Sequence, residues 1–330
     1  MKLIPLENGA VEIADIDISK LTGSDYEQIR TILRKESVIL IREQTTKSLE
    51  YAKLIQAVSK GEIRNWKDFA WDGEGNPIEV LIKSGKYPDP FKWDENVPYP
   101  VERVTGEKRK NELTGIFPTG VLDWHCNLNH PTSADGVSLQ AISEGTRNTR
   151  TSFLNTALAY KHMPNDLKQR IQNVYCEYTF NIQNWALMDN PDQKAYSETI
   201  RAPYAMWLVQ KNIIGIEGVY FHFLNDAKII TEDETLYSDL KEYLFQEKFV
   251  YHHDWEIGDI ILMDQLVSLH KRRLEEDDVF RKRLLHRYTF RITGYGSPNK
   301  ILEQNDFEVN HTTMKEFRQN ISEKYYESKK

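Results

Sequence analysis

The sequence predicts a mainly β protein, an antiparallel sandwich or barrel with helices packed outside it. Two observations carry this reading. Strand-length runs rich in β-branched and aromatic residues recur at 37–42, 137–142, 174–182, 219–224, 248–252, 260–263 and 285–292. They do not alternate regularly with helical segments, as a parallel βαβ sheet requires, and no fixed-period repeat of a solenoid or propeller is present.

The elements follow in chain order. Ser24-Asp25-Tyr26-Glu27 has the pattern of a capping box, and Tyr26, Ile29 and Leu33 then recur at helical spacing. The run 37–42 is a strand, and 48–59 is a helix with Leu54, Ile55 and Val58 on its buried face. Residues 60–115 differ. Pro77, Pro88, Pro90, Pro98 and Pro100 forbid long elements, yet Trp66, Phe69, Trp71, Phe91 and Trp93 are too apolar for a free linker. This segment is expected to be an ordered excursion or lid over a pocket. Residues 155–162, 164–174 and 236–245 read as helices. The charged tail, 300–330, is expected to fray or form a surface helix, and the whole of 1–330 to form a single domain.

Composition narrows the function. The chain has 330 residues, with 43 Lys+Arg against 50 Asp+Glu and a net charge of −7. A nucleic-acid binder would show a basic surplus, so none is expected as a partner. There is no apolar run of about 18 residues to span a membrane, and the N-terminal apolar run is too short for a signal peptide. Cys126 and Cys176 are the two cysteines, too few for a disulfide framework; reduced thiols and a cytoplasmic location are expected. A homo-oligomer is compatible with this composition.

Of nine histidines, two stand in a context that points to chemistry. His125 lies in Leu122-Asp123-Trp124-His125-Cys126-Asn127, where His-x-Asn puts two donors on one face of an extended segment. By the same parity Asp123 could join them, and Cys126 should point away. His270 follows the turn and buried strand Gly258-Asp259-Ile260-Ile261-Leu262-Met263-Asp264. Beyond it, Arg283 and Arg287 stand four apart, and an extended backbone would place both guanidiniums on one face, suited to carboxylates. The combination is a metal pocket beside an anion site. His252-His253-Asp254 has the look of a ligand cluster but is read as a strand without metal. No G-x-S-x-G, H-E-x-x-H, C-x-x-C or Walker pattern occurs.

These residues resemble the TauD/TfdA family of Fe(II)- and 2-oxoglutarate-dependent oxygenases. The likeness rests on the segment from Val11 to Ile18 with the capped helix and strand after it, on Trp124-His125, on Thr151, on the run from Gly258 to His270, and on Arg283 and Arg287 around His286. It implies a double-stranded β-helix, the jelly-roll core. It also implies Fe(II) and 2-oxoglutarate as cofactors, and dioxygen with a small polar or anionic molecule as partners. His125, Asn127 and His270 would be metal ligands, Thr151 and Arg283 would hold 2-oxoglutarate, and Arg287 would meet the substrate. The implied reaction hydroxylates an unactivated C–H bond with release of succinate and carbon dioxide.

One residue departs from the family pattern: Asn127 stands where the family carries Asp or Glu. A unit charge about 2 Å from a dication is worth roughly 17 kcal/mol of bare attraction at an effective dielectric near 20, most of it offset by desolvation and by water. Metal affinity should therefore fall. Three readings stay open: a hydroxylase with a weak third ligand, a radical halogenase with chloride at the open position, or an inactive binding or structural protein on the same fold.

Overall fold

Alternation of apolar side chains along short strands builds two facing sheets. The structure is a computed structural model that describes residues 1–45, 48–59, 63–64, 101–115, 117–127, 135–147, 149–178, 204–223, 227–273 and 275–292. In chain order the strands are β1 (Lys2–Pro5), β2 (Val11–Ala14), β3 (Val38–Ile41), β4 (Ile63–Arg64), β5 (Glu102–Val104), β6 (Lys108–Arg109), β7 (Glu112–Leu113), β8 (Leu122–His125), β9 (Gly136–Ala141) and β10 (Arg150–Asn155). They continue with β11 (Tyr175–Tyr178), β12 (Tyr204–Trp207), β13 (Val209–Lys211), β14 (Glu217–Val219), β15 (Ala227–Ile230), β16 (Val250–Asp254), β17 (Ile260–Asp264), β18 (Ser268–Arg272) and β19 (Leu285–Phe290). The helices are α1 (Gly23–Glu36), α2 (Ser48–Val58), α3 (Thr156–Lys161), α4 (Asn165–Ile171), α5 (Leu236–Leu244) and α6 (Asp277–Lys282).

The larger sheet runs β1-β2-β3-β17-β9-β19-β4, with β5 also on β19; the second runs β16-β10-β18-β8. β2 and β3 pair in parallel, and the other described pairings are antiparallel. Strand parity sorts the core. In β17, Ile261 and Met263 face the second sheet and join Leu40, Leu139, Phe153 and Trp255 in one cluster. Ile260 and Leu262 face the other way and join Ile29 and Leu33 of α1 and Tyr51 and Leu54 of α2. The outer face of the second sheet, including Trp124, Leu154 and Leu269, is covered by α3, α4 and α5 through Ala159, Leu167 and Leu240. This is a sandwich with helices outside, as the sequence predicts.

Local details differ from the sequence reading. Helix α1 starts two residues earlier than expected, because Asp25 Oδ2 accepts from the Thr22 backbone N–H at 2.8 Å and from its hydroxyl at 2.6 Å; Thr22 and Asp25, not Ser24 and Glu27, make the cap. Of the run expected at 219–224, the described residues 219–223 are strand only at Val219, since Tyr220 and Phe223 bond irregularly to the Leu208 and Trp124 carbonyls. Strands β10 and β18 carry polar residues at alternate positions and were not among the predicted strands. Within the expected excursion, residues 101–115 include β5 on the main sheet and the β6–β7 hairpin. The remaining expectation of a lid, and that of the tail, lies outside the described residues.

Two tight points fix the strand ends. Gly258 has φ +86°, and a Cβ there would meet the Gln44 backbone at 2.7–2.8 Å, so the turn into β17 needs glycine. At the other end of β17, Asp264 Oδ1 accepts from the Leu266 N–H at 3.1 Å and Oδ2 accepts from Asn212 Nδ2 at 3.1 Å. Burial, and next the neighbouring Asp135 carboxylate, raise the Asp264 carboxyl to about 8, while burial raises Asp135 to about 6. Both depart upward from 3.8, so between about pH 4 and pH 8 the folded chain retains protons that the unfolded chain has released. Their contribution to stability is complete below the unfolded value and is lost as pH rises through the folded one. Buried His270 and His286, held below the ordinary imidazole value, act in the opposite sense at lower pH, so we expect the melting temperature to fall as pH rises from about 7 to about 8, and Asp264→Asn to flatten that slope. A wild-type slope that is flat or rising, or one unchanged in the variant, would contradict the assignment; differential scanning calorimetry across pH measures it.

Candidate active site

The pairing of three strands brings the histidines together. β18 lies between β10 and β8, and its register sets His270 opposite Phe153 on one side and opposite His125 on the other. The two imidazole centroids are 4.1 Å apart. An irregularity between His270 and Arg272 shifts the β8 register, so Leu122 as well as His125 and Asn127 lines one pocket. The pocket lies between the two sheets and is also lined by Val104, Phe117, Leu139, Thr151, Arg272, Arg283, Leu285 and Arg287. The six residues that sequence reasoning selects are thus in one cavity.

The protonation of His125 follows from its partner. Nδ1 lies 2.7 Å from the Asp123 carbonyl oxygen, which can only accept. Nδ1 therefore carries the proton, leaving Nε2 with a lone pair in the neutral ring. His270 is 8% exposed and its Nδ1 has no hydrogen-bond partner. Burial, then the His125 and Arg287 charges, hold it well below the usual imidazole value. His270 is thereby kept as a neutral donor. Asn127 is held by its own backbone, whose N–H donates to Gln265 Oε1 on the turn between β17 and β18. Two imidazoles and an amide oxygen on one wall are a donor set that fits a divalent cation, with less charge than a carboxylate would bring.

Other candidates are committed elsewhere. Asp123 does not line the pocket; its Oδ1 accepts from the Trp124 N–H at 2.9 Å and pairs with Lys271 at 3.0 Å. Cys126 points away from the pocket, as expected, into the core cluster with Trp124, and its Sγ lies 3.0 Å from His222 Nε2. His252 and His253 are on opposite faces of β16. His252 meets Glu247 at 2.8 Å at the surface, and buried His253 pairs with Asp259 at 3.0 Å. Among the described residues no three His, Cys, Asp or Glu side chains form a metal cluster.

The pocket holds three arginines in three different states. Arg272 donates to the Gly120, Phe117 and Thr119 carbonyls at 3.0, 2.7 and 2.5 Å. Arg287 Nε pairs with Glu102 Oε2 at 2.5 Å. Arg283 is 3% exposed, with Nε and Nη2 both lacking a hydrogen-bond partner. Burial lowers it to about 10, so it remains a cation at neutral pH. Phe280 on α6 steadies it, with the Arg283 and Arg272 guanidinium carbons 5.1 and 5.0 Å from the ring centroid. Thr151 faces the same cavity, and the Trp255 indole N–H donates to its Oγ1 at 2.9 Å. With an N–H donated to it, the Thr151 hydroxyl is directed to offer its own proton to an acceptor. An uncompensated guanidinium and an oriented hydroxyl in one buried pocket fit a carboxylate.

Sequence reading missed Glu102, Gln265, Trp255, Phe117 and Phe280. Glu102 and Phe117 sit in or beside the Pro-rich stretch, where no periodic pattern exists, and the others act through contacts between distant strands. Arg287, which the resemblance places at the substrate, has Glu102 directly opposite it in the β5–β19 register. Because burial holds His270 neutral, its protonation should not compete with Mn(II) between about pH 8 and pH 6, where an ordinary histidine begins to protonate. Calorimetric titration at both values measures this, and a tenfold or greater loss toward pH 6 (an order-of-magnitude threshold) would contradict it.

The comparisons with known proteins agree over most of the chain. A family profile described as Taurine catabolism dioxygenase TauD, TfdA family matches residues 3–289. An alpha-ketoglutarate-dependent 2,4-dichlorophenoxyacetate dioxygenase of Cupriavidus pinatubonensis is 25% identical over 294 residues, covering 85% of this chain and 93% of the relative. One of the same name from a Burkholderia sp. is 29% identical over 221 residues, covering 63% and 71%. Among solved structures, AAD-2 in complex with Mn(II) and N-oxalylglycine aligns with a TM-score of 0.62 at 18% identity, covering 88% of this chain and 97% of that one. A taurine dioxygenase from Burkholderia xenovorans aligns at 0.58 with 20% identity, covering 88% of each. These two likenesses show the shared jelly-roll fold. With its profile matched across both histidines and all three pocket arginines, the chain belongs to the TauD/TfdA family of dioxygenases.

Proposed function

We propose that this dioxygenase holds Fe(II) through His125, His270 and Asn127, holds 2-oxoglutarate through Arg283 and Thr151, and hydroxylates a small polar molecule. The protein is a 2-oxoglutarate-dependent enzyme by family. The observation that carries the residue assignment is the unequal state of the three arginines: Arg283 brings two buried donors without a partner, whereas Arg272 is engaged by three carbonyls and Arg287 by Glu102. A dicarboxylate extending from the histidines toward Arg283 would satisfy those donors, and the Thr151 hydroxyl would donate to the same carboxylate. With dioxygen, Fe(II) and 2-oxoglutarate supply the oxidant for C–H hydroxylation, with succinate and carbon dioxide as co-products. Leu122, Leu139, Val104 and Leu285 keep the cavity walls apolar and limit water beside the reacting centre. We assign the protein to a reducing, cytoplasmic compartment on its two buried free thiols, Cys126 and Cys176; no described helix is long and apolar enough to cross a membrane.

Two experiments test this. Arg283→Gln should lower 2-oxoglutarate affinity by about two orders of magnitude, through loss of a charge-assisted pair in a buried site, whereas Arg287→Gln should leave it within a few-fold. Equal losses in the two variants would overturn the assignment. Asn127→Asp should tighten Fe(II) binding, because it adds a negative charge beside the cation. Succinate formation should be kept or raised, without dependence on chloride. Unchanged iron affinity would mean that residue 127 is not a ligand, and chloride-dependent product in the wild type would favour a halogenase.

A further inference from the structure

The substrate class follows from how Arg287 is neutralised, granted the reading of this pocket as the cofactor site. Arg287 projects from the interior face of β19 into the cavity, and its guanidinium carbon lies 5.1 Å from the Phe117 ring centroid. Glu102 stands opposite it on the neighbouring strand, with Oε2 at 2.5 Å from Arg287 Nε. The side chains are 2% and 7% exposed, so water screens this pair little. The adjacent cation, Arg103, is engaged by Glu107 at 2.6 Å. The pairing is therefore built into the sheet register and is not a surface contact that a solute would easily displace.

An anion approaching Arg287 meets the Glu102 carboxylate as well, and the repulsion offsets most of the attraction. Displacing Glu102 would leave a buried carboxylate without its closest charge partner. A hydroxyl, ether or amide oxygen can accept from the guanidinium with Glu102 still in place. We infer that the Glu102–Arg287 pair makes this wall of the pocket select a neutral substrate, one that presents an uncharged oxygen acceptor to Arg287 and apolar surface to Phe117. Glu102 is the specificity-determining residue: it converts a cationic wall into a neutral hydrogen-bonding one.

The test uses matched probes, phenylacetate and phenylacetamide, titrated calorimetrically into anaerobic protein with Fe(II) and 2-oxoglutarate, and into protein without additions. The wild type should bind the amide more tightly than the carboxylate. Glu102→Gln, which leaves the guanidinium unneutralised, should gain about tenfold or more in carboxylate affinity and invert the preference. Glu102→Gln/Arg287→Gln removes both charges, keeps a neutral pair should the single variant fold poorly, and should restore the wild-type order. A wild type that prefers the carboxylate would overturn the inference. So would a carboxylate that binds neither the wild type nor Glu102→Gln, since Glu102 would then not be what excludes it. Titration of 2-oxoglutarate alone separates the two readings. Its failure to bind the wild type would remove the cofactor assignment, while the carboxylate-to-amide order in Arg283→Gln protein without additions, where that guanidinium cannot capture the probe, would still decide the substrate class.

Discussion

The antiparallel pairing of β18 with β8 on one side and β10 on the other is the constraint on which the site depends. It sets His270 across from His125 and beside Phe153, and it brings Thr151 into the same cavity. A shift of one residue would turn His270 outward and put Leu269 into the pocket. The register is secured on both faces: Leu269 and Leu154 are locked under the helices, and Phe153 packs between the sheets. The ligand geometry is thus a by-product of burying apolar side chains at the right parity. The irregularity at Arg272 then adds Leu122 to the cavity wall.

Burying three cations in one cavity is costly, and the chain resolves each differently. Arg272 donates to three loop carbonyls and so serves as structural cement beneath Phe117 and Gly120. Arg287 is balanced by a carboxylate from a neighbouring strand. Arg283 is left with open donors and is kept in place by stacking on Phe280. A buried polar group without a partner is unfavourable unless a ligand completes it, and this is what singles Arg283 out as an anion anchor. Residue type alone does not separate the three; their hydrogen-bond partners do.

The ligand wall is tied to the larger sheet through the turn after β17. Asp264 organises that turn, accepting from Leu266 N–H, while the Gln265 side chain receives the backbone N–H of Asn127. Asn127 is therefore positioned by its main chain, independently of what its side chain binds. Thr151 is steadied in a comparable way by Trp255, whose ring packs edge-on against His253 and so reaches back to Asp259 and Arg42. Both groups face the cavity under the direction of residues that never enter it.

Much of this protein was legible in its residues taken in order. Short runs rich in apolar and aromatic residues such as 260–263 and 285–292 mark the buried strands, because each is apolar enough to be recognised without its neighbours. The spacing of His125, Asn127, His270, Arg283 and Arg287, with its family resemblance, identified the members of the site. Strands β10 and β18 are not legible in the sequence, because polar side chains stand on both their faces, Thr151, His270 and Arg272 in the cavity and Ser152 and Lys271 outside it, which erases the apolar signal. What only the tertiary structure decided is the state of each charged group. Glu102 and Arg287 are separated by most of the chain, yet strand pairing makes them partners, while Asp123, two residues from His125, is drawn away to Lys271. Electrostatic state depends on distance through space and on burial, and neither is written in the local order of residues.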